Sequence, residues 1–253
     1  MKITFLGTGT SQGVPVIACD CPVCTSPDLM DKRLRVSVLI EVQGKVFVID
    51  SGPDFRYQML RAGVKHLDAI LFTHEHKDHI AGLDDVRAFN YRQQRAMDIY
   101  ASKRVQESLV REFYYAFSEK KYPGVPLINL HEIHNEPFQI QGVEIIPIEV
   151  MHYKLPVLGF RIGNFTYITD AKTVSEAEKE KIRGSQVLVI NALQKDTHIS
   201  HFTLQEAIDF AQEMKVPKTY FTHISHKMGK HSEIEPLLPD GIQLAYDGLI
   251  LSL

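Results

Sequence analysis

The sequence predicts an α/β fold in which two β-sheets lie packed between layers of helices. Three observations predict it. Short apolar runs separated by turn residues recur in both halves of the chain. Helical stretches fall between those runs, which is the pattern of layered α/β architectures. No linker-like segment, internal repeat or low-complexity stretch divides the chain, so residues 1–253 are read as one domain.

The elements follow in order. Residues 3–6 read as a strand, and 36–42 with 45–50 as a hairpin turning at Gln43-Gly44. A helix over 54–61 opens at Pro53-Asp54 and stops at Gly63. Residues 69–72 form a short buried strand. Helices are expected over 80–89 and 102–117. Strands follow at 143–148, 159–162, 165–168, 187–190, 219–221, 243–245 and 249–251. Helices at 175–183 and 203–214 fall between them, the second opened by a capping box of Thr203 and Glu206. The stretch 90–136 is irregular.

Composition narrows the class. A chain of 253 residues can bury a core without cross-links. No run of 18 apolar residues is present, so no membrane span is expected. The opening residues lack the apolar region of a signal peptide. The three cysteines all lie between Cys19 and Cys24, which suits metal binding in a reducing compartment better than disulfides. A cytoplasmic protein is expected. The net charge of −3 argues against broad electrostatic capture of nucleic acid.

The segment Leu71-Phe-Thr-His-Glu-His-Lys-Asp-His79 follows a strand and precedes a helix. Imidazole is the commonest protein metal ligand, and carboxylate suits a hard or borderline cation. His74 and His76, two apart, share one side of an extended backbone. Asp78 and His79, at the turn into the helix, can point elsewhere. One loop can thus serve two adjacent ions.

This segment resembles the H-x-H-x-D-H signature of the metallo-β-lactamase superfamily, and Val48-Ile-Asp-Ser-Gly52 resembles the family's strand ending in Asp-x-Gly. The resemblance implies a four-layer αββα sandwich and further ligands at strand ends. His152 matches the third histidine, with His131 and His134 as competitors for that place. Asp170 matches the bridging acid and His223 the last histidine. His74, His76 and His152 would hold one ion, Asp78, His79 and His223 the other, with Asp170 shared. The ions would be zinc or manganese, with iron and nickel also accommodated.

Two further features resemble a phosphodiesterase subgroup, that of the phosphoribosyl cyclic phosphate phosphodiesterases, close to ribonuclease Z. One is Cys19-Asp-Cys-Pro-Val-Cys24 and the other Thr222-His-Ile-Ser-His226. The resemblance implies a structural zinc held by Cys19, Cys21, Cys24 and His226. It also implies a general acid at His201, in Ser200-His-Phe-Thr-Leu204, with His198 nearby, and a role for Asp78 in orienting water. Gly7-Thr-Gly-Thr-Ser-Gln-Gly13 is similar to a dinucleotide fingerprint, but its last glycine comes one place late. Pro15 and the cysteines then stand where a helix should begin. Arg33, Arg35 and Arg87 are read as surface or ion-pair residues outside the site.

The implied activity is hydrolysis of small phosphodiesters, cyclic ones first. Alternatives within the same fold are a ribonuclease Z-like nuclease and a thioester hydrolase. No tRNA-gripping insertion is evident, and the slightly acidic chain is a poor match for RNA. Several β-lactam-cleaving relatives use a cysteine ligand, yet no cysteine lies beyond Cys24. Flavin–diiron relatives carry glutamate where His76 stands. A degenerate scaffold lacking activity is set against the intact ligand set. The subgroup's members often pair, so a homodimer is expected; no membrane partner is.

Overall fold

The structure is a computed structural model that describes residues 1–120 and 122–253; Lys121, inside the stretch expected to be irregular, lies outside the described residues. The first half runs β1 (Lys2–Gly7), β2 (Ser37–Val42), β3 (Lys45–Ile49), α1 (Phe55–Arg61), β4 (Ala69–Leu71), α2 (Lys77–Ile80), α3 (Arg87–Gln93), β5 (Met97–Ala101), α4 (Lys103–Glu112), α5 (Tyr114–Phe117) and β6 (Ile128–Glu132). The second runs β7 (Phe138–Ile140), β8 (Val143–His152), β9 (Leu155–Ile162), β10 (Phe165–Tyr167), β11 (Thr173–Val174), α6 (Glu176–Ile182), β12 (Val187–Asn191), α7 (Leu204–Met214), β13 (Lys218–Thr222), α8 (His231–Ile234), β14 (Ile242–Leu244) and β15 (Ile250–Ser252).

Among the described residues two sheets form. One has the order β15-β1-β2-β3-β4-β5-β6, and the other β11-β8-β9-β10-β12-β13-β14 with β7 beside β8. Side-chain alternation builds the four layers, because successive residues of a strand face opposite sides. Phe47 and Ile49 of β3 meet Val187 and Val189 of β12 between the sheets. Val48 points the other way, onto Phe55 and Met59 of α1. Leu188 and Ile190 likewise face Ala207 and Phe210 of α7. Each central strand is therefore apolar on both faces, which is why these strands read as near-continuous hydrophobic runs.

Three expectations are corrected. The helix expected over 80–89 is broken: a 3₁₀ turn at Leu83–Val86 separates α2 from α3. The break comes at Gly82, whose N–H donates to Ser51 O at 2.8 Å. A Cβ there would sit 2.1 Å from Gly52 O, so only glycine permits this crossing. The helix expected over 102–117 is divided at Phe113 into α4 and α5. Residues 90–136 contain β5 and β6, which continue the first sheet in parallel. Their apolar pattern is interrupted by Asp98 in one and by Asn129 and His131 in the edge strand.

Parallel pairing matters for the site. β3 with β4, and β10 with β12 and β13, run in one direction. Their carboxyl ends open into the loops that carry Asp50, His74–His79, Asp170 and His223, the general location of sites in open α/β sheets. The antiparallel β8 ends at His152 and turns back through Tyr153-Lys154.

Candidate metal centre

Seven side chains converge at those strand ends. His74 Nε2 and His76 Nδ1 approach to 2.9 Å. The His152 ring lies 5.9 Å from that of His74 and 5.3 Å from that of His76. His79 Nε2 lies 3.2 Å from Asp78 Oδ2 and 3.3 Å from Asp170 Oδ2. His223 Nε2 lies 3.2 Å from Asp170 Oδ1 and 3.8 Å from Asp78 Oδ2. Asp170 thus stands between two imidazoles, the position expected of a shared ligand. Every residue the sequence assigned to the pair of ions falls in this cluster. The competitors do not: His131 stacks on Tyr100 and pairs with Asp98, and His134 is beside Glu132.

Hydrogen bonds turn the imidazoles one way. His79 Nδ1–H donates to Asp50 Oδ2 at 2.7 Å, and His74 Nδ1–H to Thr73 Oγ1 at 3.0 Å. Thr73 Oγ1 in turn donates to Asp50 Oδ2 at 2.8 Å. His152 Nδ1–H donates to the backbone O of Ser200 at 2.9 Å. With each Nδ1 proton committed, each Nε2 presents a lone pair, as metal-ligating histidines do. Asp50 therefore orients the site from beneath, fully buried. The sequence flagged it only as part of a strand ending in Asp-x-Gly; the role came from the fold.

The donor set fits divalent cations. His79 Nε2 and both ring nitrogens of His223 are buried without a hydrogen-bond partner, a state that is costly unless something fills it. Among the described residues three groups of potential ligands at this cluster lie within bonding reach of one another: His74, His79 and Asp170; Asp78, His79 and His223; and His152, Asp170 and His201. Burial opposes charge on Asp78 and Asp170, yet the surrounding imidazoles, His79 and His223 foremost, hold both carboxyls well below the usual range. His79 is buried too, but Asp78, Asp50 and Asp170 raise it well above the ordinary imidazole value. Three carboxylates crowded on one ring leave negative charge that a cation would neutralise.

Backbone strain concentrates here. Asp50, Asp170 and His223 have φ of +63°, +56° and +55°. Non-glycine residues held in the left-handed region cost about 1–3 kcal/mol each, and such residues cluster at functional sites. The close crossing at Gly52, where a Cβ would meet Asp78 O at 2.0 Å, locks the ligand loop over α1.

His201, the expected general acid, is buried and stacked, its ring 4.7 Å from His223 and 4.5 Å from His152. Its Nδ1 lies 3.8 Å from Asp170 Oδ1 and has no hydrogen bond. Burial, and then the adjacent His223, lower it to about 3. His198 is outside the cluster's contact with Asp170 but its ring is 5.0 Å from that of His201.

The cysteine cluster forms a second centre. Sγ of Cys19, Cys21 and Cys24 lie 3.2, 3.5 and 3.5 Å from His226 Nδ1. A tetrahedral zinc with ordinary Zn–S and Zn–N lengths separates S from N by about 3.5 Å, so the four donors fit. The Cys24 N–H donates to Cys21 Sγ and lowers that thiol to about 6, while burial raises Cys24 to about 11. His226 follows His223 by three residues, and Thr10 N–H donates to Ile224 O at 3.1 Å. The centre would therefore pin the amino-terminal loop against the strand end that carries His223. Cys21→Ser is expected to lower the zinc content by one per chain and stability by more than about 3 kcal/mol. Unchanged zinc content and an unchanged melting temperature would count against the four-ligand set.

The arginines divide. Arg35 pairs with Asp54 and Arg87 with Asp84, as expected of ion-pair residues. Arg33 is not a surface residue: it is buried, donating to Thr8 Oγ1 and Ala245 O and facing His231 Nδ1. It ties the amino-terminal loop to the last strands.

Comparison with known proteins gives three findings. Residues 45–224 match a family model described as a β-lactamase superfamily domain. The chain is 41% identical over 252 residues to an octanoyltransferase of Porphyromonas gingivalis (strain ATCC BAA-308 / W83), covering 98% of this chain and 51% of that protein. The chain spans about half the length, or less, of the curated relatives it matches. Among solved structures, a diphosphatase from the PhnP family superimposes with a TM-score of 0.93 at 41% identity, covering 100% of this chain and 97% of that one. The short form of human tRNase Z gives a TM-score of 0.73 at 20% identity over 100% and 99% of the two chains, a likeness of fold. No helix among the described residues is long and apolar enough to cross a membrane.

Proposed function

This chain belongs to the β-lactamase superfamily and is a hydrolase of that fold, and on that premise we propose that it cleaves small phosphodiesters, cyclic ones among them, with two divalent cations. His74, His76 and His152 would hold one ion, Asp78, His79 and His223 would hold the other, and Asp170 would serve both. Zinc or manganese suits this mixture of imidazole and carboxylate, and iron or nickel would also be accepted. The observation that carries phosphorus chemistry is the 41% identity, over essentially the whole chain, to a diphosphatase. That relative also favours a second reading, in which the bond cleaved is a phosphoric anhydride.

When bound, the cations would lower the pKa of water and neutralise phosphate oxygens. The protein's own groups do the rest. Asp50 and Thr73 fix the rings of His79 and His74. Asp78 faces His79 and His223 and orients the attacking water. His201 Nδ1 delivers a proton to the departing oxygen. Since burial keeps His201 unprotonated at neutral pH, it takes up that proton only beside an anionic phosphate, whose charge favours imidazolium.

Octanoyl transfer is a property of a protein twice this length. An acyl carrier would need a nucleophile, and all three cysteines are turned to His226. We read the cysteine cluster as zinc-binding and the chain as hydrolytic.

The test is a substrate panel on metal-loaded protein: bis(p-nitrophenyl) phosphate, a five-membered cyclic phosphodiester, an organic diphosphate, a thioester and a tRNA precursor. Hydrolysis of the first two, abolished by chelator and restored by manganese or zinc, is the expected result. Turnover confined to the thioester would overturn the reading, and turnover confined to the tRNA precursor would make the chain a nuclease.

A further inference from the structure

A cleft of about 510 Å³ opens beside the cluster, with His76 and His152 in its wall. It lies between the β8–β9 turn and the loop before His201. His152 pairs with Leu155 across the turn, so Tyr153 and Lys154 form its tip. Tyr153 has φ of +57°, a left-handed conformation that is a genuine outlier for a bulky aromatic residue. Its ring is held out into solvent, and Lys154 Nζ lies 5.3 Å from the ring centroid. Ile199, also exposed, lines the cleft from the other loop. Arg104, in the first turn of α4, completes the rim. Its Nε is spent on Glu75, between the ligands His74 and His76, which fixes the guanidinium and leaves its two Nη groups available.

The position of the cleft says which part of a substrate enters it. The loop that supplies Ile199 and Ser200 runs directly into His201. On the proposed role of His201 as general acid, a group leaving beside it would project toward the cleft lined by Ser200, Ile199 and Tyr153.

We propose, building on phosphorus as the reacting centre, that this cleft binds a nucleoside phosphate as the leaving part of the substrate. The base stacks on the face of Tyr153 opposite Lys154, with Ile199 as the second wall. Its phosphate is met by Lys154 and by the Nη groups of Arg104. The cleft is large enough for a ligand of that size. Base–aromatic stacking tolerates any base, because every base offers a π-face, and a guanidinium fork matches phosphate oxygens in pairs. In the reaction a water oxygen bonds to the attacked phosphorus, and the bond from that phosphorus to the bridging oxygen breaks. The bridging oxygen leaves on the nucleoside phosphate with the electron pair, and a proton from His201 neutralises it where it needs one.

Product binding tests this without relying on turnover. Calorimetry on the metal-loaded protein should find AMP binding at least about tenfold tighter than ribose 5-phosphate, the value of one stacked base, and tighter again than inorganic phosphate. Tyr153→Ala should erase the advantage of AMP over ribose 5-phosphate, and Tyr153→Phe should keep it. Lys154→Ala and Arg104→Ala should weaken AMP and ribose 5-phosphate alike, by about tenfold or more, leaving the ratio between them unchanged. Tyr153→Gly, which relieves the left-handed strain, should lose the AMP preference while melting no lower than the wild type, which separates recognition from folding. Equal affinity for AMP and ribose 5-phosphate in the wild type would remove the nucleoside. If bis(p-nitrophenyl) phosphate is cleaved while Tyr153→Ala, Tyr153→Gly, Lys154→Ala and Arg104→Ala all bind AMP as the wild type does, the cleft has no such role although the hydrolase reading stands. If no phosphoester is cleaved, that reading fails first, and the inference with it.

Discussion

Asp170→Ala should abolish turnover while leaving the sandwich folded. Asp170 reaches toward His79 and His223 from one carboxyl group, Oδ2 lying 3.3 Å from one imidazole and Oδ1 3.2 Å from the other. Its loss should therefore affect both proposed ions. Its removal takes a negative charge from a buried site where three carboxylates, Asp50, Asp78 and Asp170, surround His79. Metal-ion stabilisation of phosphoryl charge is worth several kcal/mol, and each 1.36 kcal/mol is a factor of ten in rate. A fall in kcat of about 10³-fold or more is expected, with the active-site metal content reduced. Asp170→Asn keeps shape and one oxygen but not the charge, so it should fall nearly as far. The zinc at Cys19, Cys21, Cys24 and His226 should remain in both variants, which gives an internal control in the same elemental measurement. A variant that keeps both active-site ions and more than a tenth of the rate would show that Asp170 is not shared.

His201→Ala should give the opposite signature: metals retained and chemistry lost selectively. The ring lies against His152 and His223 and its Nδ1 has no partner. General acid catalysis contributes about 10²–10⁴-fold, and only where the leaving oxygen needs a proton. An alkyl phosphodiester should slow by that factor. A p-nitrophenyl ester, whose leaving group departs unaided, should slow by less than about tenfold. Equal losses on the two would show that His201 acts as a ligand or a packing residue, a role its proximity to His152 and Asp170 would permit.

The contrast between these residues explains what the sequence could reveal. The ligand loop was legible because three imidazoles and a carboxylate fall within six residues after an apolar strand, a local pattern. The same holds for Cys19–Cys24. His152, Asp170, His223 and His226 were reachable only through resemblance, since each is a lone polar residue at or just beyond a strand end. Sheet pairing, not sequence proximity, brings the first three to the cluster and His226 to the cysteines. Asp50 went without a role because its partner, His79, lies 29 residues away. Tyr153 was invisible for another reason: the features that make it a candidate are a backbone angle and the loop across the cleft.

The fold follows the same division. Strands apolar on both faces, such as β3 and β12, announced themselves. β5 and β6 did not, because the first carries Asp98 and the second is an edge strand with polar positions. The helix over 80–89 was overestimated because local propensity does not know that Gly82 must pass against Gly52 at a distance that excludes a Cβ. Arg33 reads as surface in a sequence, yet Thr8, Ala245 and His231 receive it in the interior. In each case a contact distant along the chain overrode a local signal.

Separate strand ends are proposed to gather two neighbouring cations. Anomalous diffraction from crystals grown with manganese, collected on either side of the metal edge, tests it most directly. Two peaks about 3.5–4 Å apart are expected, one beside His74, His76 and His152 and one beside Asp78, His79 and His223, with Asp170 touching both. A lone peak among these residues, or a pair of ions elsewhere with the seven side chains unligated, would contradict it.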